Sequence, residues 1–140
     1  MQHLKLLILL MSSSLILYAC PAREDETYTI IIKNNTDKAI AWQPRLFNIG
    51  EKEEQYNCEY GVGEAINSHS SVNYSKNHGS WDSELGKSRY LQIMVIEKDS
   101  AVKYFSSTCD TFRKHVPILH TYRLTLEDLK QRNWIVVYPD

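Results

Sequence analysis

Residues 91–97, with the sequence LQIMVIE, constrain the fold of this chain more than any other stretch. Nearly every side chain in it is apolar, so a strand built from these residues has no polar face to turn toward water. Such a strand must be covered on both sides by other elements. The stretch therefore predicts the central strand of a layered domain.

Two β-hairpins are predicted, one at the start of the domain and one after the central strand. Residues 27–33 are rich in β-branched side chains and predict a strand. A turn at residues 34–37, NNTD, leads to a returning strand at residues 39–43, which Pro44 ends or marks as a sheet edge. A turn at 98–100 and a strand at 101–105 predict the second hairpin.

Other segments predict further strands, one loop and two short helices. Residues 125–133 are predicted to form a helix, because Thr125 suits the N-cap, acidic residues lie in the first turn and basic residues lie in the last. Asn133 suits a left-handed helix end. One helical turn is predicted at residues 108–115, with Thr108 or Asp110 as cap and Pro117 after it. Strands are predicted at 68–74, 121–125 and 134–138, and an exposed loop at 75–83.

Short strands separated by turns, with few helices and no internal repeat, predict one mainly β domain over residues 27–140. We expect an antiparallel β-sandwich, immunoglobulin-like in general shape, with one or two short helices. The chain has 16 basic and 17 acidic residues and a formal net charge of −1. This near balance argues against a basic patch and hence against nucleic-acid binding.

The start of the chain has the parts of a secretory leader. Lys5 precedes an apolar run over residues 6–19 that contains three serines. The run is shorter than the roughly 20 apolar residues of a helical membrane span, so a permanent transmembrane helix is the weaker interpretation. Residues 1–19 are therefore predicted to be a signal peptide that is removed.

Residues 17–20, Leu-Tyr-Ala-Cys, resemble the bacterial lipobox. The resemblance implies that Cys20 receives a diacylglyceryl thioether and an amino-terminal acyl chain such as palmitate. Two or three chains give stable membrane anchoring, whereas one gives only marginal binding. An ordinary signal peptide with an unmodified Cys20 is the alternative. Residues 20–26 form the predicted tether, and its acidic residues 24–26 look like an export signal of surface lipoproteins or serve as a solvated spacer.

Lipidation of Cys20 leaves two cysteines, Cys58 and Cys109, for a single disulfide. The envelope outside the inner membrane permits such a bond. Two separate buried thiols are the alternative.

Several motifs together resemble small uncharacterised lipoproteins of gut Bacteroidota. The resemblance is carried by YRLTLEDL at 122–129 and NWIVVYP at 133–139, with IKNNTDK at 32–38 upstream. It implies a lipoprotein address in the outer membrane and a β-rich domain, and it assigns no catalytic residue. Residues 99–101, Asp-Ser-Ala, resemble a short O-glycosylation motif of such bacteria at Ser100, with a plain polar turn as the alternative.

Patterns for catalysis or metal binding are weak. The histidines at positions 69, 78, 115 and 120 lack the spacing of zinc ligands. Ser100 and Lys103 fit a Ser-x-x-Lys pattern, but the predicted hairpin is the wrong setting for it and its partner motifs are missing. No catalytic residue, metal or cofactor is therefore predicted.

An aromatic group in the middle of the chain is the predicted binding surface. It consists of Tyr56, Tyr60, Tyr74 and Trp81, which would form a platform for a glycan or a protein partner. Filling of a thin core is the alternative. The sequence thus predicts a non-enzymatic binding lipoprotein of the outer membrane, on its periplasmic or surface face. An accessory subunit of an envelope complex is the alternative, and a small hydrolase is a weaker one.

Overall fold

A computed structural model describes residues 28–51, 64–76 and 79–140 of the chain. In these ranges the fold is mainly β, with two three-stranded sheets and four short helices. The strands are β1 (Ile30–Asn34), β2 (Ile40–Asn48), β3 (Ser71–Tyr74), β4 (Arg89–Glu97), β5 (Ile118–Leu124) and β6 (Ile135–Tyr138). The helices are α1 (Trp81–Leu85), α2 (Lys98–Tyr104), α3 (Cys109–His115) and α4 (Leu126–Gln131).

Sheet A has the strand order β3-β1-β6, and sheet B has the order β2-β4-β5. All pairs in sheet B are antiparallel. In sheet A, β1 is antiparallel to β3 but parallel to β6, with Ile31 opposite Ile135. The prediction of a purely antiparallel fold is therefore wrong for this one pair.

Strand β4 lies at the centre of sheet B and is buried on both faces, which confirms the central strand predicted from residues 91–97. On one face, Leu91, Ile93 and Val95 pack into a core shared with Ile30, Ile32 and Val136 of sheet A. On the other face, Met94 and Ile96 pack against Ala101, Phe112 and Val116 of helices α2 and α3. Sheet B therefore has sheet A on one side and two helices on the other.

The first predicted hairpin is wrong. Strands β1 and β2 do not pair with each other, because β1 lies in sheet A and β2 lies in sheet B. Both contribute to the shared core, Ile32 from one sheet and Trp42 from the other. Strand β2 continues through Pro44 to Asn48 as an edge strand, where a missing amide proton is tolerated.

A buried asparagine fixes the connection between these two strands. Asn34 is fully buried, and its Nδ2 donates to the carbonyl oxygens of Lys38 (2.7 Å), Ile66 (3.2 Å) and Asn67 (3.0 Å). Its Oδ1 accepts from the amide (3.0 Å) and hydroxyl (2.7 Å) of Thr36. The Asn34 side chain takes the place of water as the hydrogen-bond partner of all these groups. None of them is therefore left unpaired where the chain passes from sheet A to sheet B.

The second predicted hairpin is also wrong, because residues 98–104 form helix α2. The Glu97 carboxylate caps it by accepting from the amides of Asp99 (3.3 Å) and Ser100 (2.6 Å). Hydrogen bonds from the Ser100 hydroxyl and amide hold the pKa of Glu97 below its usual range. The helix buries Ala101 completely against the face of sheet B that points away from sheet A. A strand in place of this helix would leave that face uncovered.

The loop predicted at residues 75–83 contains the start of helix α1. Ser80 caps this helix by accepting from the amide of Ser83 (3.3 Å). Trp81 is 2% exposed and Leu85 is fully buried. An exposed position for Trp81 is therefore wrong, and its indole belongs to the shared core.

The two predicted helices are confirmed with their caps. Thr108 caps α3, and Thr125 caps α4 in a reciprocal capping box with Asp128. Asn133 follows α4 with a φ of 51°, as predicted, and Trp134 continues in the left-handed region with a φ of 62°. Within the described ranges, every helix is too short to cross a bilayer.

Replacement of Asp128 tests the capping box. Its carboxylate accepts from the Thr125 hydroxyl (2.6 Å) and amide (2.8 Å), and these bonds lower its pKa. A carboxyl group with a lowered folded-state pKa stabilises the fold above its unfolded-state pKa of about 4, and this contribution disappears as the pH falls through the folded value. We expect Asp128→Asn to reduce the free energy of unfolding by about 0.5–1 kcal/mol at pH 7 and to change it little at pH 2–3.

Chemical denaturation across this pH range measures the effect. Glu127→Gln is the matched control, because Glu127 is exposed in the same turn and accepts only from Gln131 (3.3 Å) among the described residues. Equal, pH-independent losses in both variants would contradict the role of the box.

Candidate functional site

Part of the predicted binding surface is placed in the interior. The Tyr74 ring lies 5.1 Å from Trp42 and 5.3 Å from Trp81, measured between centroids, in edge-on and tilted contacts. Burial, and then the Glu84 carboxylate, raise the pKa of Tyr74. Core filling, the alternative considered for this group, is thus confirmed for Trp81, and Tyr74 packs against the same core. Tyr56 and Tyr60 lie outside the described residues.

The cysteines are only partly covered by the structure. Cys109 begins helix α3 and is disulfide-bonded. Its predicted partner Cys58 lies outside the described residues, so the 58–109 pairing stays a prediction. Cys20, the predicted lipidation site, also lies outside them.

Ser100 occupies the first turn of helix α2 and not the tip of a hairpin. It is half-buried, and O-glycosylation there stays a prediction. The Ser-x-x-Lys pattern does lie on a helix, contrary to the expectation. However, the Lys103 ammonium lies 5.2 Å above the Tyr104 ring, and the Ser100 hydroxyl hydrogen-bonds to the Glu97 carboxylate. The two side chains are therefore engaged with other partners.

A cluster that the sequence did not predict lies where β5 and β6 approach each other. This His120 cluster consists of His120, Tyr122, Tyr138 and Asp140. The His120 ring lies 4.3 Å from Tyr122 and 6.2 Å from Tyr138 between centroids. Its Nε2 lies 3.8 Å from Asp140 Oδ1, with the two side chains 40% and 50% exposed.

Tyr122 gives this cluster its rigid base. Its hydroxyl donates to the Val137 carbonyl oxygen at 2.6 Å and lies 3.4 Å from Asp140 Oδ1. Burial, and then the Asp140 carboxylate, raise the pKa of Tyr122 far above its usual range. The hydroxyl therefore remains a donor at physiological pH and joins sheet B to sheet A.

The exposed part of the cluster offers an imidazole, a phenol ring and a carboxylate on one surface. The His120 ring nitrogens and the Asp140 carboxylate can form hydrogen bonds, and Tyr138 provides a half-buried ring. Ile118 and Leu119, which are 39% and 40% exposed, precede His120 on the same strand. Such a surface can bind a ligand by stacking, hydrogen bonding and apolar contact.

A second polar group lies at the opposite end of sheet B. Glu84 pairs with Lys76 and, at 3.4 Å, with Arg89, whose Nε donates to Asn48 (3.2 Å). A hydrogen bond from Lys76 is the main reason why the pKa of Glu84 is lowered. Because each charge has an opposite partner, this group ties α1 to sheet B and offers little to a ligand.

Metal ligands do not gather in the part of the chain that the structure describes, where no three His, Cys, Asp or Glu side chains are grouped. Asp37 and His69 form an exposed pair at 2.9 Å, which is too few ligands for a site.

The sequence contained half of the signal for the His120 cluster. His120 and Tyr122 are two residues apart on β5 and so lie on one face, but the predicted strand began at residue 121 and did not include His120. The contribution of Tyr138 and Asp140 depends on the parallel pairing of β6, which the sequence pattern did not indicate.

Removal of the Tyr122 hydroxyl tests the link between the sheets. We expect Tyr122→Phe to reduce the free energy of unfolding by about 1–2 kcal/mol, because a largely buried hydrogen bond is lost while the ring remains. Thermal or chemical unfolding measures this change. Tyr138→Phe, which removes a hydroxyl from a more exposed ring of the same cluster, should change stability by less; an equal loss would argue against the specific link.

Comparisons with protein-family models, with curated proteins and with solved structures each find no match for this chain. A function therefore has to be inferred from the side chains of this chain and from their positions.

Proposed function

We propose that this chain is a lipid-anchored, non-enzymatic binding module of the outer membrane, facing the periplasm or the outside. Cys20 is the proposed anchor, and the small lipoproteins of gut Bacteroidota are its proposed relatives. Sheets A and B are proposed to form a β-sandwich of immunoglobulin-like general shape. Their shared core and their predominantly antiparallel pairing support this shape.

The observation that carries the proposal is the position of the His120 cluster relative to the start of the domain. Strand β1 follows the proposed tether and runs from Ile30 to Asn34, and β6 runs parallel to it toward Tyr138 and Asp140. Tyr122 contacts Val137, and β5 brings His120 to the same end as Asp140. The cluster thus lies at the end away from the anchor, where a partner has access.

The chemistry of the cluster favours a polar ligand with a flat apolar face, such as a glycan or a peptide. Rings of tyrosine and histidine stack on such faces, and the nearby carboxylate orients hydroxyl or amide donors. The exposed Ile118 and Leu119 extend the surface with apolar area. We propose this surface in place of the aromatic group predicted from the sequence, because Trp81 is buried and Tyr74 is partly buried against the same core.

Exposed apolar residues at the carboxyl end of helix α2 favour a second function, that of a subunit of an envelope complex. Val102 is 67% exposed and Phe105, one turn later, is 60% exposed. Large apolar side chains at such positions are typical of protein contacts. Co-purification from solubilised membranes, compared with a Val102→Ser/Phe105→Ser variant, separates this alternative from glycan binding.

The anchor is tested by replacing its cysteine. We expect Cys20→Ser to abolish palmitate labelling and partition into a detergent phase, because the thioether has no sulfur to form on. Cys58→Ser is the matched control and should keep both properties. Labelling that persists in Cys20→Ser would refute the anchor. Protease treatment of intact cells then determines the face, since it degrades a surface protein and spares a periplasmic one.

The binding surface is tested with soluble Cys20→Ala protein on a glycan array and a peptide library. We expect His120→Ala and Tyr138→Ala each to weaken a detected interaction about tenfold or more, the range of a well-packed contact residue. Arg113→Ala, at an exposed position of helix α3, is the control variant and should bind as the parent does. Binding that is insensitive to the two cluster variants would reject this surface, and a folded protein that binds nothing would reject the module.

A further inference from the structure

We infer that the end of the domain at which β1 begins rests on the lipid surface of the membrane, through Trp134, Tyr28 and Ile49. This inference depends on the proposed anchor at Cys20. It adds a defined protein–lipid contact and hence a fixed orientation of the His120 cluster.

The length of the tether limits how the domain can be oriented. Tyr28 follows Cys20 by eight positions, and a chain of eight such steps has a root-mean-square span of about 16 Å and a maximum of about 28 Å. Strand β4 has nine residues, so the domain is about 30 Å long in this direction. The Tyr28 end is therefore the end that faces the bilayer, since the tether would have to extend along the whole domain to bring the opposite end there.

An aromatic pair occupies this end. The rings of Tyr28 and Trp134 stack with centroids 4.5 Å apart and planes 4° apart. Both side chains are half-buried, so each packs against the core and keeps part of its ring at the surface. The amide of Ile31 donates to the Trp134 carbonyl at 2.8 Å, which fixes the pair at the start of β1. Tryptophan and tyrosine are the side chains enriched at the interface between membrane and water.

The backbone at Trp134 is held in an unfavourable conformation to place this ring. A φ of 62° is sterically costly for a bulky side chain, and Asn133 alone suffices to end helix α4. Two hydrogen bonds maintain the conformation, from the Trp134 amide to Leu129 (2.8 Å) and from the Ile135 amide to Arg132 (3.1 Å). Strained residues held by their surroundings are concentrated at functional positions.

Sheet B contributes an exposed apolar residue to the same end. Ile49 follows β2, is 62% exposed, and donates its amide to Ser88 at 2.8 Å. Strand β5 ends at this side, with Leu124 opposite Leu91, and leads into α4 and Trp134. Ring and aliphatic groups are thus combined at this end, as in proteins that lie on a membrane.

Quenching of tryptophan emission by brominated lipids tests the contact. The mature lipidated protein is purified in detergent and reconstituted into vesicles of phosphatidylethanolamine and phosphatidylglycerol, with or without bromine in the acyl chains. One of the three tryptophans lies at this end, whereas Trp42 and Trp81 are 5% and 2% exposed in the core. We expect bromine to remove up to about one third of the emission, and Trp134→Phe to abolish this loss.

A tryptophan at the opposite end is the matched control. Leu119→Trp in the Trp134→Phe background places an indole beside His120, and we expect brominated lipid to leave its emission unchanged. Bound protein with unquenched Trp134, or stronger quenching at position 119, would overturn the lipid contact while leaving the anchor in place. Failure of the parent protein to associate with vesicles, together with absent palmitate labelling, would overturn both the anchor and the contact.

Discussion

Burial of strand β4 on both faces is the constraint on which the rest of the structure depends. A strand with Leu91, Ile93 and Val95 on one side and Met94 and Ile96 on the other has no face that water can cover favourably. Sheet A covers the first side, and helices α2 and α3 cover the second. Each layer of the domain can therefore be traced to the need to remove one face of this strand from water, at roughly 25 cal/mol for every Å² of apolar area.

Apolar burial is non-directional, so it does not by itself set how the two sheets are placed relative to each other. Two polar side chains fix the placement of the two sheets relative to each other, and they lie at opposite edges of the sheets. Asn34 joins the end of β1 to residues 66 and 67, and Ile66 pairs with Ile40 of sheet B. Tyr122 joins β5 to β6. Buried hydrogen bonds of this kind stabilise one arrangement, because any shift leaves a polar group unpaired. The same tyrosine also orients the exposed groups of the His120 cluster.

Features that depend on neighbouring residues could be predicted from the sequence, and features that depend on distant partners could not. The caps of α3 and α4, the left-handed Asn133 and the apolar β4 are encoded within a few residues, and all are confirmed. The hairpin of β1 and β2 was wrong because two strands joined by a turn can pair or can face each other across a core. Residues 101–105 have strand-like composition, yet the cap at Glu97 and the uncovered face of sheet B favour a helix. Trp81 was assigned to a loop because its neighbours in the sequence are polar, and a single buried side chain among them produces no apolar pattern.

The parallel pairing of β1 with β6 has a consequence for how the chain acquires its structure. Ile31 lies opposite Ile135, so nearly the whole described sequence separates two adjacent strands. Contacts of such long sequence separation form late and slowly, because the loop that they close is large. Sheet A is therefore incomplete until β6 is available to pair with β1. Until then, Ile30 and Ile32 lack the neighbouring strand that contributes Val136 to the shared core, whereas all the strands of sheet B lie earlier in the chain.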